Sequence, residues 1–95
     1  MINLMDMSGR NVLVTGAAQG IGLNAAQLLY QLGANLTLVD ANQDKLAGAV
    51  EGLDSQRVLA LGGSVTDRAF LGSVLEQANQ RFGGVHGLVN NAGIT

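Results

Sequence analysis

Apolar residues in this chain occur in two alternating patterns. Short, nearly uninterrupted apolar runs occupy residues 12–14, 36–39, 58–61 and 88–89, and such runs predict strands that are buried on both faces. The segments between them carry apolar residues every three or four positions, which predicts helices. Four strands separated by three helices form the βαβ pattern. Right-handed crossovers then place a parallel sheet between helices on its two faces, a doubly wound α/β fold.

The sequence pattern predicts the three helices with different clarity. The first has one continuous apolar face, and Gly33 follows it as the expected C-terminal stop. That face consists of Ile21, Ala25, Leu28, Leu29 and Leu32. The second helix is weaker, because Gly48 interrupts it at a cost of about 1 kcal/mol relative to Ala. The third begins after Thr66, a suitable N-cap residue, and ends at Gly83.

Composition limits the kind of protein. With 95 residues, of which 47% are apolar, the chain can form one small domain over residues 1–95 or a piece of a larger domain. Charged residues amount to 13%, about half the usual share, so we expect more protein to cover part of this surface. Residues 1–10 do not resemble a signal peptide, and no apolar run is long enough to span a bilayer. We therefore expect a cytoplasmic protein.

Charge and residue types exclude several functions. A net charge of −2, with five scattered Lys and Arg residues, provides no basic surface for nucleic acid or for an anionic membrane. The absence of Cys excludes disulfides, thiolate zinc sites and iron–sulfur clusters. A single histidine, His86, cannot build a histidine-rich metal site.

Three glycines lie where the first strand ends and the first helix begins. Gly16 permits a sharp turn, Gly20 lets the backbone approach a pyrophosphate, and Gly22 lets the helix pack closely on the sheet. The free amides and the positive end of the helix would then hold phosphates without any Lys or Arg. The alternative is a tight strand–helix turn that binds no ligand.

An acidic residue ends the second strand. Asp40 lies 18 residues beyond Gly22, close to the spacing of an acid that binds the adenosine ribose of a dinucleotide. Its carboxylate would accept hydrogen bonds from the ribose hydroxyls and repel a 2′-phosphate. No Arg or Lys occupies positions 19, 41 or 42 to receive such a phosphate. The pattern favours NAD over NADP, and the alternative is a solvated Asp at a strand–loop junction.

Two motifs resemble those of a known family. Residues 15–22 read TGAAQGIG, which looks like the TGxxxGIG cofactor motif of the short-chain dehydrogenase/reductase family, and residues 90–93 read NNAG, which matches a second motif of that family. The resemblance covers residues 10–95, and residues 91–95 are similar to those of 3-oxoacyl-carrier-protein reductases. It implies a Rossmann-like sheet with strand order 3-2-1-4. It also implies hydride transfer between a nicotinamide and an alcohol or carbonyl substrate.

The resemblance assigns cofactor contacts to ten positions. The pyrophosphate would be lined by Gly16, Gln19, Gly20 and Ile21, and the adenosine ribose by Asp40. The adenine would be flanked by Ser64 and Val65. The ribose and nicotinamide side would be lined by Asn91, Ala92 and Gly93.

Other positions are expected to be structural or to depart from the family pattern. Thr15 and Asn90 would tie the fourth strand to the first. Ser64 stands where members often carry Asp or Asn, and His86 stands where many have Asp, as a surface residue. Tyr30 lies within the first helix, as a packed or half-exposed residue, and is not a candidate acid.

The catalytic part of the family pattern lies downstream of NNAG. It comprises a Ser, an Asn and a YxxxK pair, none of which can be assigned to this chain, because Lys45 is its only Lys and stands alone. We therefore assign no catalytic residue and expect the chain to supply the NAD-binding half of an enzyme, inactive by itself. We also expect it to form homo-oligomers or to associate with a complementary carboxyl-terminal fragment. The alternatives are a non-catalytic nucleotide-binding module and an interaction fragment.

Overall fold

Four strands and three helices alternate along residues 6–91, the part of the chain that the computed structural model describes. The elements are β1 (Asn11–Thr15), α1 (Gly20–Gln31), β2 (Asn35–Asp40), α2 (Gln43–Val50), β3 (Val58–Gly62), α3 (Arg68–Phe82) and β4 (Gly87–Asn90). The strands form one parallel sheet in the order β3-β2-β1-β4. This is the doubly wound topology that the alternation and the family resemblance predicted. No helix within this range is long and apolar enough to cross a membrane.

The register of the sheet separates its apolar side chains onto two faces. Val12 pairs with Leu36, and Leu36 pairs with Val58, so these three residues share the face that packs under α1 and α2. Leu13 and Val39 lie on the opposite face, where Val74 of α3 covers them. The face under α1 and α2 carries the larger core of the two.

Helix α1 lies close to the sheet through its small residues. Gly22 and Ala26 are buried, whereas Ile21 is 74% exposed and Leu28 is 54% exposed. The apolar face predicted for this helix is therefore largely exposed at two of its members, Ile21 and Leu28. The reason is steric. Gly22 lies against the backbone of Gly16, where there is no room for a Cβ. The buried stripe accordingly follows Gly22 and Ala26 instead of the larger residues beside them.

Helix α3 is capped at both ends. Its N-cap is Asp67, whose Oδ1 accepts a hydrogen bond from the Phe70 amide at 3.1 Å. The prediction of Thr66 as N-cap was wrong, because the Thr66 hydroxyl is instead hydrogen-bonded to that of Ser64 at 2.7 Å. The C-terminal stop is confirmed: Gly83 has a left-handed φ of 85°, a conformation that favours glycine.

A groove lies beside α3 on the sheet face of the smaller core. Helix α3 packs against β2 and β3 and reaches Leu13 of β1 through Val74, whereas Leu88 of β4 on the same face stays exposed. The groove has a volume of about 320 Å³, and two of its apolar residues, Leu75 and Leu88, are 51% and 60% exposed. Its lining is Leu13, Thr15, Val65, Leu71, Leu75, Leu88 and Asn90.

Candidate functional site

The glycine-rich turn and Asp40 are joined at the carboxyl edge of the sheet. The Ala17 amide donates to the Val39 carbonyl oxygen at 3.1 Å, and the Ala18 amide donates to Asp40 Oδ2 at 3.0 Å. In open α/β sheets, this edge is where ligands bind. The two features that the sequence singled out are therefore neighbours in space.

The amino-terminal end of α1 has unsatisfied hydrogen-bond donors. Its N-cap, Gln19, is extended and makes no side-chain cap, and the first turn contains no acidic residue. The Leu23 amide bonds to the Gln19 carbonyl oxygen at 3.3 Å, but within residues 6–91 the amides of Gly20, Ile21 and Gly22 have no acceptor. Such orphan donors, together with the helix dipole, form an anion-binding site.

Two of the glycines in the turn have left-handed backbones. Gly16 has φ of 64° and Gly20 has φ of 60°, a region that other residues adopt at a cost. Apart from its chain neighbours and the backbone of its own helix, a Cβ added at Gly20 would meet no heavy atom of residues 6–91 within 4 Å. The space beside the free amides is therefore empty because residue 20 has no side chain, and a phosphate can approach the backbone there.

The Asp40 carboxylate is held in a fixed orientation by the backbone. In addition to the Ala18 contact, its Oδ1 accepts from the Asn42 amide at 2.9 Å. An ionised carboxylate has about four acceptor positions, so each of its oxygens keeps capacity for a further donor. Asp40 is half-buried, which leaves the carboxylate partly accessible to a ligand.

The end of β4 is tied to the turn. Thr15 Oγ1 donates to Asn90 Oδ1 at 2.9 Å and accepts from the Asn91 amide at 3.0 Å. The expectation that Thr15 and Asn90 join the two strands is thus confirmed. Asn91 Nδ2 lies 3.5 Å from the Gly16 carbonyl oxygen, next to the glycine-rich turn. Ala92 and Gly93, the other two positions expected on this side, lie outside the described residues.

Ser64 and Val65 follow β3 at the same edge of the sheet. The Ser64 hydroxyl is engaged within its own loop, because it contacts the Thr66 hydroxyl and accepts from the Thr66 amide at 3.2 Å. Val65 is half-buried and packs against the core under α3. Val65 therefore offers an apolar surface at this edge, while the polar group of Ser64 already has partners.

The positive charge of Lys45 at this site was not predicted from the sequence. Lys45, in the first turn of α2, donates from Nζ to Gln19 Oε1 at 2.6 Å. Lys45 lies outside positions 19, 41 and 42, the positions at which a basic residue was expected to receive a 2′-phosphate. Lys45 is far from Gln19 along the chain, and no local pattern joins them. The only sequence signal is its position three residues after Asn42, which caps α2.

His86 has a structural contact that sequence reasoning also missed. The Asn11 amide donates to His86 Nδ1 at 2.9 Å, and the His86 amide donates to the Asn11 carbonyl oxygen at 2.7 Å. The side chain is exposed, as expected. It nevertheless supplies the acceptor for a buried strand residue at the start of β1.

Comparisons with known proteins agree with this geometry. The 5-keto-D-gluconate 5-reductase of Escherichia coli K12 is 34% identical over 96 residues, covering 99% of this chain. The 3-oxoacyl-[acyl-carrier-protein] reductase FabG of Thermotoga maritima is 40% identical over 94 residues, covering 96% of this chain. The chain spans 38% of the length of each of these curated relatives.

Solved structures show the same fold. A short-chain dehydrogenase/reductase from Brucella melitensis, described as a glucose/ribitol dehydrogenase, superposes with a TM-score of 0.89 at 32% identity, over 95% of this chain and 38% of that one. The C-domain of a bacterial malonyl-CoA reductase, crystallised with NADP, gives 0.83 at 28% identity, over 97% of this chain and 16% of that one. A family model described as short chain dehydrogenase matches residues 10–95. With the fold, the glycine-rich turn and the relatives in agreement, the chain belongs to the short-chain dehydrogenase family of oxidoreductases.

Proposed function

We propose that residues 1–95 form one domain that binds NAD(H), as the dinucleotide-binding half of an oxidoreductase. The complete enzyme would transfer hydride between the nicotinamide and an alcohol or carbonyl substrate. One observation carries this proposal: the uncapped end of α1, with the free amides of Gly20, Ile21 and Gly22, opens at the edge of the sheet that holds Asp40.

The turn fits a pyrophosphate. An anion at the end of α1 would receive hydrogen bonds from the backbone and be stabilised by the helix dipole. The open space beside Gly20 would admit it, and Gly16, Gln19 and Ile21 would complete the lining. This arrangement needs no cluster of basic side chains, which agrees with a chain that carries five Lys and Arg residues in total.

Asp40 fits the adenosine ribose and supports NAD as the preferred cofactor. Its carboxylate, oriented by the Ala18 and Asn42 amides, would accept from the two ribose hydroxyls of NAD(H). In NADP(H), the 2′-phosphate would replace one of these hydroxyl donors with a negatively charged group. A hydrogen bond to a charged group contributes about 1.5–3 kcal/mol, which corresponds to a preference of about tenfold or more.

The remaining contacts follow from the same placement. Val65 would pack against the adenine, with Ser64 at its border. Asn91, Ala92 and Gly93 would lie toward the ribose and nicotinamide, a role supported by the bonds that hold Asn91 to Thr15 and Gly16. The nicotinamide would supply or accept the hydride, while the residues of this chain bind and orient the cofactor. We assign the proton transfer to residues outside this chain.

Calorimetric titration of the chain with NAD⁺ and NADP⁺ tests the proposal. We expect tighter binding of NAD⁺, and a loss of about tenfold in this preference for Asp40→Asn. Asn retains one acceptor oxygen for the turn while removing the charge. The matched control is Asp44→Asn, which removes an exposed carboxylate from the first turn of α2 and should leave the preference unchanged. Equal affinity of the unmodified chain for both dinucleotides would contradict the assignment of Asp40.

A further inference from the structure

His86 holds the backbone of Asn11 where β1 and β4 begin. Its amide donates to the Asn11 carbonyl oxygen at 2.7 Å, and its Nδ1 accepts from the Asn11 amide at 2.9 Å. The pairing of the two strands starts one residue later, at Val12 and Gly87. Both backbone groups of Asn11 therefore depend on His86, one on its backbone and the other on its imidazole.

Asn11 connects β1 to three other elements. Its side-chain amide donates to the Phe82 carbonyl oxygen at the end of α3, at 2.7 Å, and its side-chain oxygen accepts from Asn35 of β2 at 3.0 Å. Only 5% of Asn11 is exposed, so a polar group that loses its partner there has little access to water. The contact with His86 consequently fixes a residue at which β1, β2, β4 and α3 meet.

This contact requires a neutral imidazole. A backbone N–H can only donate, so Nδ1 of His86 carries no proton and the ring has its proton on Nε2. A protonated imidazole donates from both nitrogens, and its Nδ1–H would point at the Asn11 N–H. Histidine is the side chain that changes charge between pH 5 and 8. Proton uptake in that range therefore removes the acceptor of a buried backbone amide.

The elements around His86 and Asn11 provide no negative charge to stabilise the protonated ring. β1 and β4 contain no charged residue. The charged side chains of β2, of α3 and of the segment before β1 are Asp6, Arg10, Asp40, Arg68, Glu76 and Arg81. The three carboxylates among them accept hydrogen bonds elsewhere: from Ser8, from the Ala18 amide and from Gln80, in that order. Within residues 6–91, His86 has no acidic partner.

We propose that His86 is a pH-sensitive switch that holds the start of β4 to β1 when it is neutral and releases it when it is protonated. In the unfolded chain no such contact opposes proton uptake, and stability rises with pH wherever the unfolded chain binds more protons than the folded one. The free energy of unfolding is therefore highest above the range in which histidine titrates, and it falls as the pH decreases through that range. This inference does not rest on the proposed function, because Asn11 and His86 lie at the edge of the sheet opposite to Asp40 and the glycine-rich turn.

Thermal unfolding of the full chain at about pH 8 and about pH 5, followed by circular dichroism, tests the switch. The reference variant is His86→Asn, because Asn Oδ1 is attached to Cγ, as Nδ1 is in histidine, and accepts a hydrogen bond at both pH values. Between the two pH values, we expect the Tm of the unmodified chain to fall by about 4–8 °C more than that of His86→Asn. His86→Ala has no acceptor at either pH, so its Tm should change with pH by the same amount as that of His86→Asn and lie below it throughout.

Equal changes in Tm for the unmodified chain and for His86→Asn would overturn the proposal. Nitrogen-15 NMR of the unmodified chain provides a second test that needs no variant. At the higher pH the imidazole should carry its proton on Nε2, and the resonance of the Asn11 amide should shift with the same midpoint as the protonation of His86. A proton on Nδ1 at the higher pH, or an Asn11 amide that does not respond when His86 is protonated, would also overturn it.

Discussion

We expect Gly22→Ala to push α1 away from the glycine-rich turn that precedes it. A Cβ at position 22 would overlap the Gly16 carbonyl oxygen, lie 2.7 Å from its carbon and lie 3.1 Å from Asn91 Nδ2. Carbon atoms prefer separations of about 3.5–4.0 Å, so the helix must retreat by about 1 Å. The obstacle is backbone on one side and an anchored side chain on the other, and neither can rotate away.

The cost of this change follows from two opposing effects. Overpacking costs about 1–3 kcal/mol, and a backbone obstacle places Gly22→Ala near the upper limit. The gain in helix propensity on replacing Gly with Ala is about 1 kcal/mol. We therefore expect a net loss of about 2 kcal/mol in the free energy of unfolding, and a decrease in Tm of about 8–16 °C for a domain of this size.

Gly72→Ala is the matched control. It makes the same substitution in the interior of α3, where an added Cβ would meet no heavy atom of the described residues within 4 Å other than the backbone of its own helix and its chain neighbours. Only the propensity term then applies, and Tm should rise by a few degrees, for a gain of about 0.5–1 kcal/mol. Thermal unfolding followed by circular dichroism measures both variants. Shifts of the same sign and size would refute the steric argument for Gly22.

Three further predictions concern other parts of the molecule. Gly20→Asn should retain the fold, because Asn tolerates the left-handed backbone at this position. It should weaken NAD⁺ binding by about tenfold or more, because a side chain would occupy the space proposed for the pyrophosphate. Unchanged affinity would place the phosphates elsewhere. His86→Ala leaves the buried Asn11 amide without its acceptor, at a cost of about 1–3 kcal/mol, and an unchanged Tm would count against that contact. Leu88→Lys removes an exposed apolar residue from the edge strand β4, and light scattering should show less self-association; if association persists, it uses another surface.

The sequence predicted the parts of the fold that depend on local pattern. The apolar runs located all four strands, because buried parallel strands require apolar residues on both faces. The face of α1 that packs on the sheet was not predictable in the same way. Periodicity identifies a face from the largest apolar residues, whereas the packing of α1 is decided by the small residues at Gly22 and Ala26. The N-cap of α3 was misplaced by one residue, because Thr66 and Asp67 are both good caps.

The proximity of the glycine-rich turn and Asp40 was predictable from the sequence. The turn and Asp40 lie together, as their positions at the ends of β1 and β2 required. The contacts of Lys45 with Gln19 and of His86 with Asn11 each join residues that are distant along the chain. No motif encodes such pairs. Both depend on the distance between two elements after folding, and therefore only the structure reveals them.

The hydrogen bonds of the turn determine which of its donors remain for a ligand. The Ala17 and Ala18 amides are satisfied by the end of β2, and the Leu23 amide is satisfied by Gln19. This leaves the amides at the start of α1, which are backbone groups fixed by the position of the helix. In the proposed function, recognition of the pyrophosphate should therefore depend on where α1 lies and respond to Gly22→Ala. In the proposed function, recognition of the adenosine ribose depends on the side chain of Asp40, so Asp40→Asn should alter the choice of cofactor without removing the phosphate site.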